Sequence, residues 1–452
     1  MRDDRIKKSL RYSILDGAFA ASMVGIGESF FAVFAVFLKA SATQLGVLNS
    51  LPQALGSLSQ LFSNLFIKLF RTRKRLVCAM ALIQGLMYIP VALVFFFGTF
   101  RVYHLIFFIC LYWFFGMILG PAWNSWMGDL VDEKERGAYF GKRSMVIGFA
   151  SFVSFMLGGY ILQVFTHGTI TQYAGFVTIF ILAFIFRGIS FTFLTKKYEP
   201  EYQVVQEEEF TLFEFIRQAK SRNYGLFVLY LCLMNFSVYL SAPFFTPYML
   251  EDLKFDYMTY TIVNAAAMIA KLLSVRVWGR ASDQFGTKKI LSLTGFLMPV
   301  IPILWLFSHD VLYLVIIQIY SGFIWAGFEI SAFNFIFDTT SPPKRATCVA
   351  YYNVLNGLSI FSGAMLGSFI VGHNSLFRSK YLLVFLLSCV LRYIASSVFI
   401  PKLREVRTVE EIGYPRLFLK IISTMPTMGM IYQLIPFIKS QKTKKSGIRK
   451  KS

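Results

Sequence analysis

The chain has 452 residues, of which 56% are hydrophobic, 50 are phenylalanine and only 15% are charged. Soluble domains run at about 45–50% apolar and about 25% charged, so a soluble globular protein is excluded. The formal charge of +21 does not point to nucleic acid, because the basic residues sit at the ends of apolar stretches rather than in a patch.

Crossing a hydrocarbon core takes about 20 apolar helical residues. Stretches of that kind lie at 12–38, 43–67, 76–98, 103–127, 143–166, 173–195, 223–249, 258–279, 288–307, 311–337, 346–372 and 380–400. They predict an all-α membrane protein with twelve transmembrane helices in two six-helix bundles. Residues 1–195 form the first bundle, 196–222 a polar linker, 223–400 the second bundle and 401–452 a basic tail. Arg2, Arg5, Lys7, Lys8 and Arg11 precede the first span, which exceeds the short apolar core of a signal peptide and reads as a retained helix. In the linker, Phe210 to Ile216 has the spacing of a short surface helix. The tail carries an apolar stretch at 417–438, broken by Lys420, Pro426 and Pro436, which reads as interfacial, with basic residues beyond it near anionic lipid.

One face has only Lys39, Arg101, Lys254, Arg378 and Lys380, while Arg187, Lys271 and Arg392 lie within spans. The remaining Lys and Arg residues all fall on the other face, and the positive-inside bias makes that face and both termini cytoplasmic. The expected location is a plasma (inner) membrane. Cys78, Cys110, Cys232, Cys348 and Cys389 are scattered without a CxxC, which supports neither a disulfide framework nor a metal site.

The two halves repeat each other. Between 127–161 and 336–370, without a gap, Asp129/Asp338, Arg136/Arg345, Gly148/Gly357, Phe152/Phe361, Met156/Met365, Leu157/Leu366, Gly158/Gly367 and Ile161/Ile370 are identical pairs. A repeated membrane unit commonly builds its binding site between the copies. A second pair follows spans 2 and 8, where Phe70-Arg-Thr72-Arg-Lys74 matches Phe285-Gly-Thr287-Lys-Lys289. The richer copy is Gly279-Arg280-Ala-Ser-Asp283-Gln-Phe-Gly286-Thr-Lys288-Lys289. There Gly279 permits close helix approach, Gly286 supplies a tight turn, and Asp283 is placed to pair with cations or a helix N-terminus.

These loops resemble the major facilitator superfamily of secondary transporters. Gly279 to Lys289 is similar to that family's loop motif, and Asp129 to Arg136 and Asp338 to Arg345 are similar to its related signature after spans 4 and 10. The resemblance covers about residues 10–400. It implies two bundles related by a pseudo-two-fold axis, with Gly279, Arg280, Asp283, Gly286, Lys288, Asp129, Arg136, Asp338 and Arg345 acting in gating as latches of the outward-open state. Lys68 stands where the second half has Asp283, so the acidic latch residue belongs to the second half alone.

A charged side chain at the bilayer centre costs about 2.5–3.5 kcal/mol even on insertion scales. Glu28 in span 1 and Glu329 in span 10 are the most deeply placed acids, and the resemblance implies that spans 1, 4, 7 and 10 line the central cavity. Both are candidate proton or substrate sites, against the alternative of structural hydrogen bonding. Asp16 is expected to contact Arg11 or the linker. Arg187, Lys271 and Arg392 are expected to turn inward, snorkel or pair with a carboxylate, with Lys271 and Arg392 as counter-charges for Glu329 or an anionic substrate. Asn124 and Trp123 in span 4 and Asn235 and Tyr239 in span 7 are candidate cavity residues, Gln53 and Gln60 weaker ones, and Trp126 an interface anchor.

No GxxxxGK[ST], HExxH or histidine cluster occurs, so neither an ATP-driven pump nor an enzyme is expected, and no cofactor. The expected function is secondary active transport of a small solute by alternating access, proton-coupled as symport or efflux antiport. A lipid or amphiphile transporter of the same fold, and a non-transporting sensor or assembly factor, are the alternatives.

Overall fold

The computed structural model describes residues 2–132, 135–200, 223–340, 342–374 and 376–407, together with 409, 413, 414, 417 and 421. Most of the expected linker and the interfacial stretch at 417–438 therefore lie outside the described residues, as does the side chain of Arg345. The first bundle comprises α1 (Asp4–Phe37), α2 (Ala42–Gln60), α3 (Arg73–Phe96), α4 (Gly98–Leu130), α5 (Arg136–Val164) and α6 (Thr169–Lys196). The second comprises α7 (Asn223–Asp252), α8 (Tyr257–Phe285), α9 (Thr287–Leu304), α10 (Val311–Thr339), α11 (Pro342–His373) and α12 (Leu382–Lys402).

Eleven of these are long and apolar enough to cross a membrane. The twelfth, α2, carries Gln44, Asn49, Gln53 and Gln60 and continues as Ser63–Phe70. Its polarity is tolerable because it packs along α11 of the other bundle instead of facing only lipid. A capping box starts it: Ser41 Oγ accepts from Gln44 N at 3.2 Å and Gln44 Oε1 accepts from Ser41 N at 2.9 Å, satisfying two donors that a helix start leaves orphaned. Asp256 and Asp310 cap α8 and α10 by accepting from Thr259 N and Tyr313 N.

Several spans are broken at mid-membrane. α1 changes to a short 3-10 turn at Glu28–Phe30 after Gly27, and α7 does so at Ala242–Phe244. Broken backbone inside a bilayer needs replacement partners, and a buried arginine adds one at the break in α9 between Leu297 and Val300. Pro302 has no N–H to give Met298 O, which accepts instead from Ile301 N at 3.2 Å and from Arg392 Nη1 at 3.5 Å. Arg392 Nε and Nη2 donate to Ser388 Oγ and Ser241 Oγ at 3.0 and 3.2 Å. In the first bundle Arg187 donates to Ala81 O at 3.2 Å and to Gln84 Oε1 at 2.6 Å, tying α6 to α3. Both arginines turn inward onto neutral acceptors, so Arg392 is not the partner of Glu329.

The core divides in a way that fixes the shape. On the face opposite the basic one, residues of both bundles merge into one cluster, in which Phe34, Phe155 and Phe176 pack with Phe244, Tyr248, Tyr260 and Phe385. On the basic face each bundle keeps its own cluster, built around Trp126 and Met127 in the first and Trp278 and Phe335 in the second. The bundles thus share one apolar core on one side of the membrane and keep separate cores on the other. Trp126 is a core residue rather than an interface anchor: it is fully buried and its indole N–H donates to Tyr198 O at 3.0 Å.

Candidate translocation site

A cavity of about 700 Å³ opens within the second bundle, against α2 of the first. Its lining comes from α7, α8, α10 and α11, with Gln53 of α2 the one contribution from the first bundle. The polar groups are Gln53, Asn235, Tyr239, Lys271, Ser321, Glu329, Tyr352 and Asn356, set among Met268, Trp325, Phe328 and Phe333.

The charged pair stands midway along its helices. Lys271 of α8 places Nζ 2.7 Å from both carboxylate oxygens of Glu329 on α10, so the counter-charge role expected for Lys271 is the one found. The neutral groups pair as well. Asn235 Nδ2 donates to Asn356 Oδ1 at 2.7 Å, and Tyr239 donates across the bundle boundary to Gln53 Oε1 at 2.9 Å. A second cross-bundle bond, Asn353 Nδ2 to Gln60 Oε1 at 2.8 Å, lies further along the α2/α11 seam. The amide row of α2 therefore reaches the other bundle.

Glu329, Asn235 and Tyr239 come together in this cavity; Glu28, Trp123 and Asn124 are not among its lining residues. Glu28 sits at the break in α1, where Tyr112 of α4 donates to Oε2 at 2.7 Å and Tyr88 in turn reaches Tyr112 at 3.4 Å. Among the described residues no Lys or Arg lies within 4.0 Å of its carboxylate. Trp123 stacks under the Arg143 guanidinium at 4.3 Å, and Asn124 is exposed on the basic half of α4. Asp16 accepts from Ser190 Oγ at 2.8 Å and lies 3.9 Å from Lys197 Nζ, a contact with the start of the linker and not with Arg11.

The repeated loop residues build matching staples, each within one bundle. Asp129 takes Arg73 Nη1 at 2.6 Å, and Glu199, just after α6, caps α3 by accepting from Arg73 N at 2.9 Å. In the second bundle Asp338 accepts from Thr287 Oγ1 at 2.8 Å and from Arg407 Nε at 2.9 Å. Arg407 also donates to Asp283 at 3.0 Å, and Glu405, just after α12, caps α9 through Lys288 N at 2.8 Å. The two carboxylates raise the pKa of Arg407 above its ordinary value, the bond to Asp338 contributing most. Gly286 turns from α8 into α9 at φ +95°, a Cβ added at Gly279 would lie 3.4 Å from Ile330 Cδ1, and Arg136 donates to Gly128 O at 3.2 Å. Glu199, Glu405 and Arg407 had no signal in the motifs, because each reaches its partner only after a complete bundle has been traversed.

Two six-helix bundles that share a core on one side and keep separate cores on the other, with an ion pair in a cavity of the second bundle, have the architecture of a secondary transporter. The chain belongs to the Major Facilitator Superfamily, whose sequence profile matches residues 17–247 and again 226–442. Among solved structures it is similar to a mutant of the nucleoside transporter NupG, with a TM-score of 0.68, 14% identity, and 88% of this chain and 100% of that one covered. It is also similar to a bacterial homologue of the human lysosomal transporter Spinster, inward-facing and unoccupied, with a TM-score of 0.60, 13% identity, and 93% and 98% covered. At these identities the likeness is one of fold. No curated protein sequence matches the chain.

Proposed function

We propose that the protein moves a small solute by alternating access and that a proton gradient drives it. With the basic face taken as cytoplasmic from the positive-inside bias, the structure corresponds to the inward-open half of that cycle. The observation that carries the reading is the split core: one shared cluster away from the basic face and two separate ones toward it. A static sensor or scaffold has no need of a seam that closes one face and frees the other.

Proton handling falls to two carboxylates in different settings. Glu329 is held by Lys271, so loading a proton there requires opening an ion pair, an event that cargo binding could trigger. Glu28 faces a tyrosine hydroxyl, and a proton can join it with no ion pair broken. The loop staples support the moving parts by keeping each bundle rigid on its basic face.

Sealed proteoliposomes containing the full chain test this reading. A panel of labelled solutes should include one that accumulates when an inside-directed or outside-directed proton gradient is imposed and that equilibrates without it. Binding without accumulation would favour the sensor reading. Gradient-driven uptake that survives both Glu28→Gln and Glu329→Gln would remove the coupling assignment.

A further inference from the structure

The ion pair in the cavity constrains the cargo. Lys271 and Glu329 touch at 2.7 Å, and their side chains remain 43% and 49% exposed, so the pair is open to the cavity rather than sealed in the core. The neutral polar groups facing it are engaged with each other, Asn235 with Asn356 and Tyr239 with Gln53. Trp325 and Phe328 supply apolar surface on the same helix as Glu329.

Charge balance then ranks the possible occupants. A neutral solute leaves the pair shut and gains only hydrogen bonds to the donors and acceptors that the pair leaves free. A singly charged solute must separate the pair to reach its counter-charge, and it strands the other ion without a partner, which is strongly unfavourable away from bulk water. A solute carrying both charges exchanges one ion pair for two. Because Nζ and the carboxylate start in contact, both can be engaged with small side-chain movements only when the solute's own charges are close together.

We infer that the cavity binds a zwitterion bearing ammonium and carboxylate on one carbon, an α-amino acid with an apolar or aromatic side chain. Its carboxylate lies on Lys271, its ammonium on Glu329, and its side chain against Trp325 and Phe328. The inference rests on the transport reading for movement of the solute, whereas binding is measured separately.

Titration calorimetry on the full chain in detergent, with four congeners of one scaffold, tests it: phenylalanine, the cation phenylalaninamide, the anion 3-phenylpropanoate and the neutral 3-phenylpropanamide. Phenylalanine should bind at least tenfold more tightly than the other three. Glu329→Gln should shift preference at least tenfold toward the anion, and Lys271→Gln toward the cation. The double exchange Lys271→Glu with Glu329→Lys keeps a pair and should keep the zwitterion preference, which separates loss of recognition from loss of folding. Equal or tighter binding of the neutral member, an unchanged order in the single variants, or no binding by any of the four overturns the inference. Gradient-driven uptake of uridine with no phenylalanine binding would overturn the zwitterion and leave transport standing. Phenylalanine binding without uptake would do the reverse.

Discussion

Closure of the seam opposite the basic face depends on helices that touch through backbone, and a single methyl group at Gly159 should pry it open. Gly159 of α5 meets Thr261 of α8, and a Cβ built on it would come within 2.6 Å of the Thr261 Cβ, where ordinary contact begins at 3.4 Å. Thr261 cannot rotate away. Its Cβ is carried by the backbone, its χ1 is restricted by branching, and its hydroxyl donates to Tyr257 O at 2.7 Å. Relief therefore requires separation of α5 from α8. Overpacking of this kind costs about 1–3 kcal/mol, and about 2 kcal/mol corresponds to a roughly 30-fold change in the ratio of closed to open seam. The assay is disulfide trapping between Gln163→Cys and Met258→Cys, whose parent residues bond at 3.1 Å across this seam, in a background lacking the five native cysteines. Gly159→Ala should slow trapping and expose outer-half positions to maleimide. Gly120→Ala is the control, because its added Cβ meets nothing within 4 Å. Trapping as fast in Gly159→Ala as in the parent, or equal slowing in the control, would refute the reasoning.

On the α2/α11 seam, Gly46→Val should act in the same direction, since its Cβ would collide with Ser368 and lie 3.1 Å from Ala364 O; additivity with Gly159→Ala in the trapping assay checks it. Arg392→Met should lower the melting temperature, because hydrogen bonds to charged groups contribute about 1.5–3 kcal/mol and the three that Arg392 donates to Ser388, Met298 and Ser241 are lost. Arg407→Ala should release the segment after α12 while costing under about 1 kcal/mol at the Asp283 end, where the carboxylate is 74% exposed; faster proteolysis beyond residue 403 at unchanged melting temperature is the expected result. Burial lowers the Lys197 pKa to about 8, and its Nζ finds no hydrogen-bond acceptor among the described residues. The folded protein then binds fewer protons than the unfolded chain between that value and the ordinary lysine pKa of about 10.4, so stability rises with pH across this window. A melting temperature that climbs from pH 8 to 10 in the parent and less steeply in Lys197→Met is the expected outcome.

Topology was legible in the chain because it follows from local quantities. Length and apolarity mark a span without knowledge of its neighbours, and basic residues mark a face. The duplicated Asp129 and Asp338 stand at corresponding contacts beside α3 and α9. Reading the site required more. Glu28 and Glu329 are equally deep in sequence, yet one meets Tyr112 within its own bundle and the other meets Lys271 in the cavity. Gln53 ranked low because an amide in a weakly apolar helix has no local signature, and its partner Tyr239 lies in the other bundle.

By itself, then, the sequence determined a multi-pass helical protein of two repeated halves and the short list of residues too costly to bury without purpose. Only the tertiary structure decided which of them face one another, which face of the protein is closed, and that Lys271 and Glu329 share the cavity while Arg392 mends a broken helix. The physical reason is that hydrophobicity and charge cost act on each residue singly, whereas pairing depends on which helix faces are packed together across the whole length of the chain.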